Sequence, residues 1–140
     1  MNKEWPYKLK PMEVLQTDAA QIYFTKDEIL VIEYKHNIDF SLDMAKKLIE
    51  LCTDVANGNK VLTMVITGTG GKMHPETLDY LSGQEVSMHR IAVALIITSL
   101  PHRIVANFIV HLRKKYYPTK LFNNTADATQ WLKKFKTNAV

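Results

Sequence analysis

The stretch that most constrains how this chain can fold runs from Arg90 to Pro118, RIAVALIITSLPHRIVANFIVHLRKKYYP. Its first part, Ile91 to Ile97, is apolar, rich in β-branched residues and too short for a helix of its own, so it reads as a strand buried on both faces. Then the period changes. Ser99 can cap a helix and Pro101 is tolerated in a first turn, after which Ile104, Val105, Phe108, Ile109 and Leu112 recur at helical spacing until Pro118 forbids continuation. The stretch is one strand-helix unit, informative about architecture and nearly silent about chemistry.

The same logic extends along the chain. Residues 1–18 mix Trp5, Pro6 and Pro11 with charges and read as an arm, pinned to the body by Trp5 and Tyr7. Gln21–Thr25 and Ile29–His36 are strand-like runs separated by Lys26, Asp27 and Glu28, a hairpin pattern. In the second run Leu30, Ile32 and Tyr34 share one face and Ile29, Val31, Glu33 and Lys35 the other. Ser41 caps a helix with Met44, Leu48, Leu51, Cys52 and Val55 as its apolar stripe, and Asn57-Gly58 ends it. Val61–Thr67 is the next strand. Pro75 opens a short helix that Gly83 closes. Thr119–Phe122 is the last strand, and Thr125 caps a final helix carrying Ala128, Trp131, Leu132 and Phe135. The order is ββαβαβαβα. Successive strand-helix-strand crossovers demand parallel neighbours, so the expectation is a mostly parallel five-stranded sheet with its first strand antiparallel at an edge, in one α/β domain over 19–140.

Composition narrows the function classes. No apolar run approaches the ~20 residues of a membrane helix, and the N-terminus offers no secretory h-region. Cys52 is the sole cysteine and has no partner for an internal disulfide, so a cytoplasmic setting is expected. It lies in a helix stripe and reads as a buried structural thiol. The formal charge of +4 is unevenly spread: all but one of the 14 Asp/Glu precede residue 101, whereas eight of the 18 Lys/Arg follow it. Arg113, Lys114, Lys115, Lys120, Lys133, Lys134 and Lys136 form a candidate basic surface for nucleic acid or anionic lipid. The plainer reading, which takes precedence, is cations solvating helix ends where the dipole favours them.

The loop after the third strand, TGTGGKMHPET, is the most unusual in the chain. Several glycines before a helix can present N–H groups to an anion, although the spacing is not GxxxxGK[ST] and a flexible connection is the plainer account. With the turn after the central strand it defines a candidate ligand or anion site: Thr67, Gly68, Thr69, Gly70, Gly71, His74, Thr77, Ser99, His102 and Arg103. Both segments follow strand C-termini, where open parallel sheets tend to bind ligands. His74, His102 and Glu76 fall short of a metal site, which needs about three or more protein ligands. Arg103, Asn107 and His111 make a polar helix stripe. No nucleophile-base-acid arrangement emerges, so neither a catalytic residue, a metal nor a cofactor is assigned.

From Ala94 to Leu132, ALIITSLPHRIVANFIVHLRKKYYPTKLFNNTADATQWL, the chain resembles the STAS-type, SpoIIAA-like domains, and particularly a branch of small uncharacterised bacterial proteins with that fold. The SLxxR step, the ANF helix, the PTK-F strand and the A-x-x-WL closing helix carry the resemblance. It implies a βα superhelical sheet with helices largely on one side, and a non-enzymatic role in binding a protein partner or a small ligand. In the family's anti-sigma-factor antagonists, a serine at the start of the helix after the third strand is phosphorylated. Here that neighbourhood is Lys72, Met73, His74, Pro75, Glu76, Thr77, without D-S-x-G, and the phospho-switch is not carried over. The branch often ends that strand with an acid, where this chain has Thr67. The expectation is a regulatory or interaction domain, a homodimer through the less covered sheet face or a strand edge. The alternatives are a small-ligand binder at Gly68–Thr77 and Ser99–Arg103, or a basic-surface binder.

Overall fold

A computed structural model describes residues 4–97, 110–111 and 116–136. Its elements are β1 (Leu15–Gln16), β2 (Ala20–Phe24), β3 (Ile29–Tyr34), β4 (Asp39–Phe40), α1 (Leu42–Val55), β5 (Val61–Ile66), β6 (Lys72–Met73), α2 (Pro75–Leu81), α3 (Gln84–Ser87), β7 (Arg90–Ile96), β8 (Thr119–Phe122) and α4 (Thr125–Lys136). The fold is α/β. Of the helix expected after the central strand, Val110 and His111 are helical; Ser99, Pro101, Ile104, Val105, Phe108, Ile109 and Leu112 lie outside the described residues.

The main sheet is mixed and has six strands, in the order β1-β2-β3-β5-β7-β8. The β1–β2 and β2–β3 pairings are antiparallel, and β3–β5, β5–β7 and β7–β8 are parallel. The expected count of five is therefore one short. β1 adds the extra edge, and β4 and β6 form a separate two-stranded parallel ribbon. Two-residue strands carry no readable alternation; pairing between Asp39 and Lys72 is set by tertiary contact.

β7 is interior, flanked by β5 and β8. Ala92 and Ala94 are fully buried, and Val93, Leu95 and Ile96 nearly so. Side-chain alternation sorts the residues into two layers. Ile22, Phe24, Leu30 and Ile32 pack with Leu48, Cys52 and Val55 of α1, and with Leu81 of α2. Ile29, Val31, Leu62, Met64, Ala92 and Ala94 pack instead with Ala128 and Leu132 of α4. Val93, Leu95 and Ile97 gather with Val110 and Tyr117. Helices thus cover both faces, unlike the one-sided arrangement that the resemblance implies: the stripe of α4 starts at Ala128, and it closes over the face opposite α1.

Local signals explain the helix ends. Ser41 Oγ accepts from Met44 N at 3.2 Å, as an N-cap should. Asn57 and Gly58 have φ of 54° and 73° and terminate α1 in the left-handed region. At α4 the cap is one residue earlier than expected: Asn124 Oδ1 accepts from Asp127 N at 2.8 Å, and Thr125 is already helical.

The N-terminal arm is tied down. Tyr7 stacks on Phe24 at 4.2 Å between ring centroids, Trp5 meets both rings edge-on, and Trp5 Nε1 donates to Leu9 O at 2.8 Å. Lys8 and Leu9 N–H groups donate to Val55 O, which anchors the arm to the end of α1.

Candidate ligand-binding site

The α1 side of the sheet does not fill completely. A cavity of about 470 Å³ lies there, within the range of small-ligand sites. Its floor is one face of the sheet: Ile32 and Tyr34 from β3, Thr63 and Val65 from β5, and Val93 and Leu95 from β7. Phe40, Ile49, Leu78, Leu81 and Val86 wall it on the helical side, and Tyr117 lies toward its lower end. Exposed Lys35, Gly70, Gly71, Lys72 and Met73 mark where it meets solvent at the C-terminal ends of the strands. The lining is predominantly apolar.

Besides Thr67, Lys35 and Lys72 toward the mouth, two buried polar residues break that lining. Thr63 is 1% exposed, and its Oγ1 has no hydrogen-bond partner. Arg90 is 6% exposed; its Nη1 donates to His89 O at 3.1 Å, and among the described residues no carboxylate pairs with it. Arg90 also lines a second, more polar hollow with Asn59, Lys60, Tyr116 and Pro118. Its charge reaches across to the helices. Burial pushes the Cys52 thiol up to about 11, with Arg90 pulling the other way; burial foremost, then Glu85 and Glu50, raises Tyr80, again against Arg90.

The expected site residues divide. Thr67, Gly68, Gly70 and Gly71 line the cavity. Thr69 does not: its Oγ1 lies 2.9 Å from His36 Nδ1, and its N–H donates to the same nitrogen at 2.9 Å. His74 Nε2 is 2.6 Å from Asp39 Oδ1, joining α2 to the β4–β6 ribbon. Thr77 is buried and donates to Phe40 O at 3.0 Å, a structural role. Ser99, His102 and Arg103 fall outside the described residues.

The glycine loop packs against chain rather than standing open. A Cβ on Gly68 would run into Lys35 O, and one on Gly71 would run into Ile38 O. Asn37 N donates to Thr69 O at 2.8 Å and Lys72 N to Ile38 O at 2.9 Å. The glycines let two loops approach closely and shape the cavity's mouth. Among the described residues no group of three or more His, Cys, Asp or Glu could hold a metal ion.

The basic surface is partly neutralised. Lys136 Nζ pairs with Glu28 at 2.9 Å and Lys133 with Asp27 at 3.9 Å, so the hairpin turn presents acids to the lysines of α4. Lys120 Nζ sits 5.5 Å from the Phe122 ring centroid. Lys134 lies exposed on α4; Arg113, Lys114 and Lys115 are outside the described residues. Among those residues no helix is long and apolar enough to cross a membrane.

Residues 23–136 match the family described as a domain of unknown function, DUF7793. The chain belongs to the DUF7793 family. The matched segment runs from within β2 to the end of α4, and so contains every residue lining the cavity, including Thr63 and Arg90. The arm and β1 precede it. No curated protein and no solved structure matches the chain.

Sequence reasoning missed Arg90, Thr63 and the apolar floor as a site. Strand alternation read from Val93 places Arg90 on the opposite face, with Ala92. A register shift at Val61/Leu62, where Val61 pairs with Arg90 but Leu62 pairs with Ala92, changes that.

Proposed function

We propose that this DUF7793 protein is a non-enzymatic binding domain of SpoIIAA-like (STAS) character that takes a small, largely apolar ligand into the cavity on the α1 face of its sheet. The observation that carries the reading is the cavity itself: about 470 Å³, floored by Val65, Val93 and Leu95, at a place where a packed core would have no such void. A regulatory role follows naturally. A ligand held between the sheet and α2 changes what the β4–β6 ribbon and Met73, 48% exposed, present to a protein partner. A cytoplasmic setting goes with it, since Cys52 is the sole cysteine, is buried, and the fold is built without an internal disulfide.

The test uses the uncharged probe N-phenyl-1-naphthylamine. It should bind with one-to-one stoichiometry and gain fluorescence, and Val65→Phe, which fills the cavity, should weaken binding by about tenfold or more while the melting temperature holds or rises. No binding by the wild-type protein, or equal binding by the variant, counts against the reading.

A further inference from the structure

The β5–β7 register shift has a chemical consequence at the lower end of the cavity. Two residues of β7, Arg90 and Ile91, stand where regular pairing would place one, and such bulges re-aim side chains. Arg90 thereby shares the face of Val61 and joins Thr63, Val93 and Leu95 in the cavity lining, while Ile91 packs with the α4 layer. The cavity therefore has a permanent cation at one end of an apolar wall. Arg90 as a residue is 6% exposed, and among the described residues its guanidinium makes one hydrogen bond, to a carbonyl, while Thr63 Oγ1, on the same face two residues along β5 from Val61, has no partner.

Among the described residues Arg90 has no anion as partner, and on the same cavity lining Thr63 carries an unsatisfied hydroxyl, an arrangement that is costly to maintain. A ligand carboxylate resolves both: it accepts two N–H bonds from the guanidinium fork and one O–H bond from a threonine. Between Arg90 and the mouth the described floor, Val93, Leu95 and Ile97, is apolar and follows the strand direction, and polar groups return only at the mouth with Thr67, Lys35 and Lys72. Arg90 to Ile97 spans seven residue steps, about 23 Å, so an extended chain suits the shape better than a ring system.

We propose that the cavity binds a medium- to long-chain monocarboxylate, with its headgroup on Arg90 and Thr63 and its alkyl chain along the β5–β7 floor. This rests on the ligand-binding reading above and adds the headgroup, its polarity and its orientation.

The experiment displaces N-phenyl-1-naphthylamine from the delipidated full chain with dodecanoate, dodecan-1-ol and dodecyl phosphate. Dodecanoate should bind at least about tenfold tighter than the alcohol, and tighter than the phosphate, whose bulkier and more highly charged head costs more to take out of water. Arg90→Met should keep alcohol binding and lose the preference for the acid; Thr63→Val should reduce that preference without removing it. Where Arg90→Met does not fold by circular dichroism, the wild-type ratio and Thr63→Val decide. Equal affinity for acid and alcohol, or tighter binding of the phosphate, overturns the headgroup assignment and leaves the apolar cavity standing. Failure of the probe and all three chains to bind overturns both.

Discussion

Arg90 stands opposite Val61 across the β5–β7 pairing, while Ala92, two residues on, stands opposite the very next residue, Leu62. That one-residue excess turns a guanidinium onto the apolar face occupied by Thr63, Val65 and Val93. Regular alternation would instead have placed it beneath α4, among Ala92, Ala94 and Leu132. The bulge puts a buried charge at the inner end of the cavity, away from the lysines at its mouth.

Among the described residues the Thr63 hydroxyl has no partner, so its removal should cost no stability. Thr63→Val exchanges an unsatisfied buried O–H for a methyl of similar size, and stability should stay level or rise by up to about 1 kcal/mol. Urea unfolding followed by circular dichroism measures it. A loss beyond about 1 kcal/mol would mean the hydroxyl already has a structural partner.

Leu132 is fully buried between α4 and the sheet face formed by Leu62, Met64, Ala92 and Ala94. Leu132→Ala should cost about 2–5 kcal/mol without weakening N-phenyl-1-naphthylamine binding under native conditions, because the cavity is on the other face. Melting temperature and probe titration on the same sample separate the two effects.

Much of this was legible in the chain. The buried strand at Ile91–Ile97, the two faces of Ile29–Lys35 and the Asn57-Gly58 stop each rest on local periodicity or on a backbone conformation that few residues adopt. What stayed hidden is nonlocal. β1, β4 and β6 are too short for any period, the side taken by α4 is a packing outcome, and the glycine loop resembles an anion cradle until Lys35 and Ile38 are seen filling its concave side. Arg90 was the hardest to read: an arginine at the start of a strand, next to Ile91, is unremarkable unless the register across to Val61 is known.

Alkaline pH should destabilise the fold, with a sign set by buried Cys52 and half-buried Tyr7. Burial raises the Cys52 thiol from 9.0 to about 11, and burial with help from Glu28 raises the Tyr7 phenol from 10.0 to about 12. Both groups are neutral in the folded state and ionise sooner once unfolded. Their contribution is therefore complete below pH 9, and it falls as pH rises through 9–11 for Cys52 and 10–12 for Tyr7. Urea midpoints at pH 8, 9.5 and 11 should decline in order, and Cys52→Ala should flatten the first part of the decline. Native Cys52 should also resist iodoacetamide at pH 8 and react on unfolding.

Gly71 has φ of 78°, and its α-carbon faces the Ile38 backbone. Gly71→Ala should destabilise the protein by roughly 1–3 kcal/mol and disturb the β4–β6 ribbon at the cavity mouth. Amide exchange at Lys72, whose N–H bonds Ile38 O, should accelerate more than exchange at Val93. Unchanged stability would show that the two loops are not held in contact.

The most direct measurement is methyl NMR of the isotopically labelled protein titrated with N-phenyl-1-naphthylamine. The account predicts saturable shifts at Val65, Val93, Leu95 and Ile97, which line or floor the cavity, with Ile29, Leu62 and Leu132 on the other face left in place. Shifts concentrated on that second set, or no saturable shift at all, would contradict a ligand site on the α1 side of the sheet.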